Sequence, residues 1–539
     1  MIVSMDRKEA YRRMAKENRG AWEEDAVLLL NKGKRGFFRL IFGRTTVVIL
    51  LLAAQFILLF IGFYHLRDYT YYGGSMLVGL VVALMVVNRK GNPAAKLTWI
   101  MLIMLFPIFA VPFYLFVNME WGHRLTRARL EEIGKKTTGF LPERPEDMEA
   151  LAEADPGAAG LASYLGRMGS HPAYRNSGAV YYPVGEKAFA AMLEALESAK
   201  DFIFMEYFIV EEGYMWGRVL SVLERKIKQG VEVRVLYDGT CALYKLPYQY
   251  PRKLEALGIQ CQMYAPLRPL VSTHYNNRDH RKILVADGRC AFTGGINLAD
   301  EYINRKTLHG HWKDVAVQIT GEAVASFTLM FLQMWNVGET AEIEYRKYLA
   351  ASAPVKAEGW IVPYGDSPFD DERVGEMTYI DILNRARRYV HIMTPYLIID
   401  QEMATALTFA AKRGVDVKLI MPSHPDKKTV FAVSRSYYKE LIEGGVQIYE
   451  YTPGFVHAKL FVSDGSAAVV GSINLDYRSL YLHFECAALM IHAPAVGAVE
   501  QDFQETLAKC REITLEDCRR DKLSRRMTGW LLRPVAPLM

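Results

Sequence analysis

Three rhythms of apolar and polar residues divide the chain. The first is unbroken apolarity. Thr46 to Tyr64 ("TVVILLLAAQFILLFIGFY") runs 19 residues without a charge, and Tyr69 to Asn88 ("YTYYGGSMLVGLVVALMVVN") runs 20. Each approaches the roughly 20 residues a helix needs to cross a bilayer core. The first starts too late and runs too long for a cleaved signal peptide. A third run, Leu97 to Val117 ("LTWIMLIMLFPIFAVPFYLFV"), is as long, but Pro107 and Pro112 interrupt its helix. The second rhythm is a helical period ("AFAAMLEALESAK", "GRVLSVLERKIKQG") alternating with short apolar strands ("FIFMEYFIV", "VEVRVLYD"). The same order returns later as "YIDILNRARR", "YVHIMTPYLII", "ATALTFAAKRG" and "VDVKLIMP". Helices alternating with β-branched strands predict crossover units and a parallel-dominated sheet.

The return is regular enough to be a duplication. Gly230 and Gly414, which open matching strands, are 184 residues apart, and His280 and His457 are 177 apart. These offsets predict two homologous domains over 160–340 and 350–510, joined near "SAPVKAEGW". Around them lie a basic segment at 1–45, a membrane region at 46–118, a linker at 119–159 and a tail at 511–539.

The third rhythm is strict alternation, and it carries the chemistry. "HRKILVADGRCAFTGGIN" from His280 and "HAKLFVSDGSAAVVGSIN" from His457 both read strand, Asp-Gly turn, strand. On a strand, residues two apart share a face. His280 and Lys282 therefore point the same way, as do His457 and Lys459. A lone HxK is unremarkable. Two copies of HxKx4Dx6G[GS]xN in one local context are not a coincidence.

Charge refines the picture by its location. The net charge is +5, and residues 1–45 account for all of it, with 11 Lys and Arg against 6 Asp and Glu; 54 of each sign remain downstream. Basic residues precede the first apolar run (Lys32, Lys34, Arg35, Arg39, Arg44) and follow the second (Arg89, Lys90, Lys96), so a two-helix hairpin would have both ends in the cytoplasm. The third run is basic on both flanks, with Arg124, Arg127 and Arg129 beyond it, as expected of a kinked element dipping into or lying along the cytoplasmic leaflet. A full third crossing would export everything downstream. Composition, at 51% hydrophobic and 23% charged, excludes a disordered chain. A near-neutral body argues against a nucleic-acid partner. The six cysteines include no CxxC pair and read as reduced thiols, with neither zinc spacing nor a disulfide framework. The tail "KLSRRMTGWLLRPVAPLM" joins Lys522, Arg525 and Arg526 to Trp530, Leu531 and Leu532, which suits either contact with anionic lipid or docking on the core.

Paired His and Lys suit displacement at a phosphodiester. One imidazole attacks phosphorus, a second on the far side protonates the departing alkoxide, and Lys and Asn groups hold the non-bridging oxygens. An unperturbed pKa near 6.5 fits His to both roles. Each half supplies one of every group, so the site falls between the halves. The ammoniums provide positive charge, and no metal or other cofactor is called for. Each His also needs an orienting carboxylate. Setting "HFECAALMI" against "HWKDVAVQI" equates Glu485 with Asp314. Glu485 lies 28 residues after His457 and Asp314 lies 34 after His280, with Glu301 a rival in the first copy.

These motifs resemble the HKD motif of the phospholipase D superfamily, and the order of membrane hairpin then two copies is similar to bacterial cardiolipin synthases. The likeness extends to "NPAAKLTW", "FMEYFIV", "TPYLIID", "RSYYKELIEGGVQIYEY" and the closing "PLM". It implies an α/β fold of two phospholipase D-type α/β/α sandwich domains forming a pseudo-two-fold unit, behind a transmembrane hairpin in a bacterial inner membrane. It implies His280 as nucleophile of a phosphatidyl-histidine intermediate and His457 as acid, then base; the residues themselves leave the two interchangeable. Lys282, Asn297, Lys459 and Asn474 would bind phosphate, and Asp287 and Asp464 would have a structural part. The implied substrate is phosphatidylglycerol, two molecules giving cardiolipin and glycerol. Hydrolytic phospholipase D action, transfer with another head group such as ethanolamine, nucleic-acid cleavage and a silent scaffold are the alternatives. Self-association is left open. The resemblance departs at His483, where the family often has Asn.

Overall fold

The computed structural model describes residues 69–118, 121–141, 143–169, 171–266, 276–339, 344–350, 352–370 and 372–538. The expected span 46–64 and the basic segment 1–45 lie outside these. The chain divides into two compact units, one of residues 1–89, 99–118 and 268–272, the other of 90–98, 119–267 and 273–539.

In the smaller unit, a helix covers Tyr69–Asn88, the 20 residues expected of the second span. Gly79 lets this helix approach closely: a Cβ there would stand 3.2 Å from the Pro107 side chain. The third apolar run is two helices, Pro93–Leu105 and Pro107–Asn118, broken ahead of Pro107 because proline cannot donate to the preceding turn. Pro112 stays inside its helix. Among the described residues no helix is long and apolar enough to cross a membrane.

The larger unit carries the duplication as two sheets. The first half contributes β1 (Ser177–Tyr182), β2 (Phe202–Tyr207), β3 (Glu232–Asp238), β4 (Gln260–Tyr264), β5 (Arg278–Asp279), β6 (Lys282–Ala286), β7 (Cys290–Gly294), β8 (His311–Lys313) and β9 (Ala316–Gly321). The second contributes β10 (Trp360–Asp366), β11 (Tyr389–Met393), β12 (Leu397–Ile398), β13 (Asp416–Pro422), β14 (Gln447–Tyr451), β15 (Gly454–Val456), β16 (Leu460–Ser463), β17 (Ala467–Gly471), β18 (Leu475–Asp476), β19 (His483–Ile491) and β20 (Cys510–Ile513). The sheet orders match strand for strand: β1-β9-β7-β6-β2-β3-β4 and β10-β19-β17-β16-β11-β13-β14, with β20 added at one edge. Crossover helices make β2, β3 and β4 parallel, as they do β11, β13 and β14, while the hairpins carrying the motifs run antiparallel. One apolar core contains inward residues of both halves, including Phe204, Val285 and Ile319 with Val462, Val470 and Ala488. Separate cores lie beneath the helices of each half. The helix Pro156–Gly169, at the start of the expected first domain, buries Leu161, Ala162 and Leu165 in the core of the second.

Of the two readings of the tail, the structure shows docking on the core. Helix Leu523–Leu532 lays Gly529 against the backbone of Ala432, and Arg533 covers the ring of Tyr437. Its other face exposes Leu523, Met527, Trp530 and Leu531.

Asp287 and Asp464 explain the Asp of each motif. Both adopt left-handed backbone at the turn, with φ 52° and 53°. The Asp287 carboxylate accepts three amide hydrogens, from Lys200, Asp201 and Phe202, at 2.8–2.9 Å. Asp464 accepts three from Arg387, Arg388 and Tyr389 at 2.8–2.9 Å. Each carboxylate thus ties the motif hairpin to the start of the neighbouring central strand. Asp287→Ala is expected to cost about 2–3 kcal/mol, because three backbone donors, one of them buried, lose a charged acceptor, and the half-exposed Asp464 about 1–2 kcal/mol. Denaturant unfolding of the two variants measures both values.

Candidate active site

The site is built where strands change halves. β5, which leads into the first HxK, pairs not with its own sheet but with the start of β19. β15, which leads into the second, pairs with β8 of the first half. The His280 amide donates to the Phe484 carbonyl at 2.9 Å, and the His457 amide to the Lys313 carbonyl at 2.7 Å. Different forces hold the two lead-in strands. β5 is pinned by buried ion pairs, Arg281 to Glu206 at 2.6 Å and Arg278 to Asp238 at 3.6 Å. β15 is pinned by Phe455 packed on Trp312 and by Gly454, where a Cβ would stand 2.3 Å from the His311 carbonyl.

The exchange decides which carboxylate meets which imidazole. His280 Nδ1 lies 2.8 Å from Glu485 Oε1, and His457 Nδ1 lies 2.6 Å from Asp314 Oδ2. Counting along each copy pairs His280 with Asp314 and His457 with Glu485; the structure crosses them. The strand registers set Gly294 opposite Ala316 and Gly471 opposite Ala487, which makes Asp314 and Glu485 equivalent. That equivalence is one place out of step with the letters, so His483 corresponds to Trp312 and not to His311. Glu301, the rival, sits 3.6 Å from Lys245 instead of on either motif imidazole. The [GS] position is also explained. A Cβ on Gly295 would stand 2.0 Å from Asp314 Oδ1, whereas its counterpart Ser472 donates its hydroxyl to Glu485.

Lys282 and Lys459 each reach back to the carbonyl of their own His, and Lys459 Nζ also lies 2.8 Å from His457 Nδ1. Asn297 donates to the Tyr302 hydroxyl at 2.7 Å and accepts from the Ile209 amide at 3.0 Å. Asn474 donates to Ser479 Oγ at 3.0 Å, and its Oδ1 is buried without a partner. All the HxK and Asn side chains are buried. With both Nδ1 atoms turned to carboxylates, Nε2 is the nitrogen left to each imidazole for chemistry.

Burial dominates the electrostatics. It holds His280 well below its ordinary value, reinforced by Lys282, and His457 down to about 4, where Lys459 lowers and Asp314 opposes. It lowers Lys282 to about 8 and Lys459 to about 7, and raises Glu485 to about 8 against the pull of Lys282. Burial thus favours the neutral form of both imidazoles. Among the described residues, His280, His483 and Glu485 form the one group whose side chains could share a cation, with ligand atoms within 4.8 Å of one another. The ammoniums of Lys282 and Lys459 act on the same imidazole and oppose a cation there.

Two like sheets meeting at paired His–Lys half-sites define an enzyme of the phospholipase D type. A family model described as the cardiolipin synthase, PLD-like domain matches residues 192–335 and 379–507, once for each half. A cardiolipin synthase of Geobacillus kaustophilus is 33% identical over 463 residues, 85% of this chain and 92% of that one. An uncharacterized protein of Streptococcus mutans is 48% identical over 464 residues, 86% of this chain and all of the other. A crystal structure of phosphatidylserine synthase from Haemophilus influenzae shares the fold, with TM-score 0.54 and 13% identity over 71% of this chain and 98% of that one. The chain belongs to the cardiolipin synthase family of phospholipase D-like enzymes.

Proposed function

We propose that the protein moves a phosphatidyl group from one phosphatidylglycerol to a hydroxyl of a second, forming cardiolipin and glycerol. The observation that carries this reading is the pair of buried imidazoles, each oriented at Nδ1 by a carboxylate from the opposite half. His280 Nε2 bonds to phosphorus as the P–O bond to glycerol breaks, and His457 gives the departing oxygen its proton. The hydroxyl of the second lipid then loses its proton to His457 and attacks phosphorus, and the P–N bond to His280 breaks. These roles fit the surroundings of the two rings: burial and Lys282 hold His280 as a neutral nucleophile, and His457, where Asp314 opposes the burial, takes up its proton from water as the phosphate anion enters. Lys282 and Lys459 offset charge on the non-bridging oxygens. An amide nitrogen carries two hydrogens, so Asn297 and Asn474 each keep one for the same oxygens. The two halves are the catalytic domains. The enzyme works at the inner face of the bacterial membrane, held there by its apolar N-terminal region, of which helix Tyr69–Asn88 is the first described part. The exposed Leu77, Leu84 and Met85 of that helix support this placement.

The test is purified full-length protein in vesicles with phosphatidylglycerol alone. Cardiolipin and glycerol in equal amounts are expected. Phosphatidic acid as the only product would replace transfer by hydrolysis, and absence of turnover would point to another donor lipid.

The lowered lysines set a pH dependence. Lys459 carries its proton below about 7 in the empty site and Lys282 below about 8, so positive charge is lost as pH rises through these values. Because kcat/KM reports the free enzyme and both ammoniums are used, it is expected to fall about tenfold per pH unit between about 7 and 8 and about a hundredfold per unit above, with the phosphodiester anionic throughout. A flat profile from pH 6 to pH 9 would contradict this.

A further inference from the structure

His483 and Trp312 occupy equivalent places in the two halves, and each lies against one catalytic imidazole. The His483 and His280 rings are 5.4 Å apart at 37°, and the Trp312 and His457 rings 5.3 Å apart at 41°. Both side chains are more than nine-tenths buried. Neither ring nitrogen of His483 has a hydrogen-bond partner, nor has the indole nitrogen of Trp312. An orphaned buried donor is costly, and two of them at matched positions of a ligand site are not chance.

We propose that His483 and Trp312 are substrate-binding residues, a matched pair of N–H donors to the oxygens of the phosphodiester, one beside the nucleophile and one beside the acid. This rests on the phosphoryl-transfer reading of the site and adds to it two groups outside the repeated motif. The halves are not chemically equal here. An indole offers only a donor, whereas a neutral imidazole offers a donor and an acceptor. Burial, with the nearby Arg478, keeps His483 neutral. The His280 side can therefore also accept a hydrogen from a lipid hydroxyl, which the Trp312 side cannot.

Inorganic phosphate is the probe, bound to the full-length protein in detergent and followed by calorimetry. His483→Phe and Trp312→Phe keep an aromatic ring beside each imidazole and remove the donor. Each is expected to weaken phosphate binding about tenfold or more, the range for a hydrogen bond to a charged acceptor. The loss in kcat/KM for phosphatidylglycerol is expected to fall mainly on KM. His483→Gln, which restores a donor, is expected to recover most of the affinity, and it stands in if the Phe variant does not fold. Folded Phe variants that bind phosphate as the wild type does would overturn the proposal, as would a loss confined to kcat or a failure of His483→Gln to recover affinity. Phosphate binding needs no turnover, so a wild type that made no cardiolipin would sink the proposed reaction and leave this measurement standing.

Discussion

His280→Ala is expected to abolish cardiolipin formation, with kcat down about 10⁴-fold or more, the scale of removing an enzymic nucleophile. The substitution deletes the only atom proposed to bond to phosphorus, and no neighbour replaces it. Glu485 is turned to the same ring, and His483 is the counterpart of a tryptophan in the other half. With lipid labelled at phosphorus, quenching the wild type in alkaline denaturant, which spares an acid-labile P–N bond, is expected to leave label on the protein at His280, and quenching of the variant none. A variant making cardiolipin at the normal rate would remove His280 from the chemistry. His457→Ala should fail differently. It loses the acid, so a phosphatidyl ester of p-nitrophenol, whose leaving group needs no proton, should still label His280.

The second large effect tests the crossed pairing. Asp314→Asn and Glu485→Gln are each expected to lower kcat about 10³-fold or more, as when the group that fixes the tautomer of a catalytic imidazole is replaced by an amide. They should differ in rescue. Asp314 is bonded to His457, so its loss impairs protonation of the leaving group, and the nitrophenyl ester should restore most of the rate of the first step. Glu485 is bonded to His280, so its loss impairs the nucleophile, and the same ester should restore little. If each carboxylate served the His of its own copy, the rescue would be reversed.

Local chemistry was legible in the sequence. The period-two alternation of "KILVAD" and "KLFVSD" placed His and Lys on one face, because successive side chains of a strand point to opposite sides. The Asp-Gly turns and the left-handed backbone of Asp287 and Asp464 agree with short polar side chains that tolerate that conformation. The duplication, visible as matched spacing, became two sheets of one strand order. Even the break ahead of Pro107 followed from the residue, since proline has no amide hydrogen to give.

What the tertiary structure alone decided is non-local. Nothing in a strand's own residues says which distant edge it will join. β5 and β15 are short, and each leaves its own half to complete a ladder in the other. That choice, made by backbone hydrogen bonds and by the packing of Phe455 on Trp312, carries Glu485 to His280 and Asp314 to His457. It also sets His483, and not His311, opposite Trp312, a one-residue slip that exchanges which side chains face the site. The sequence therefore determined the fold class, the duplication and the paired His and Lys groups, because these follow from periodicity and residue chemistry. The pairing of those groups depended on registers between strands more than a hundred residues apart in the chain, and only the folded chain could set them.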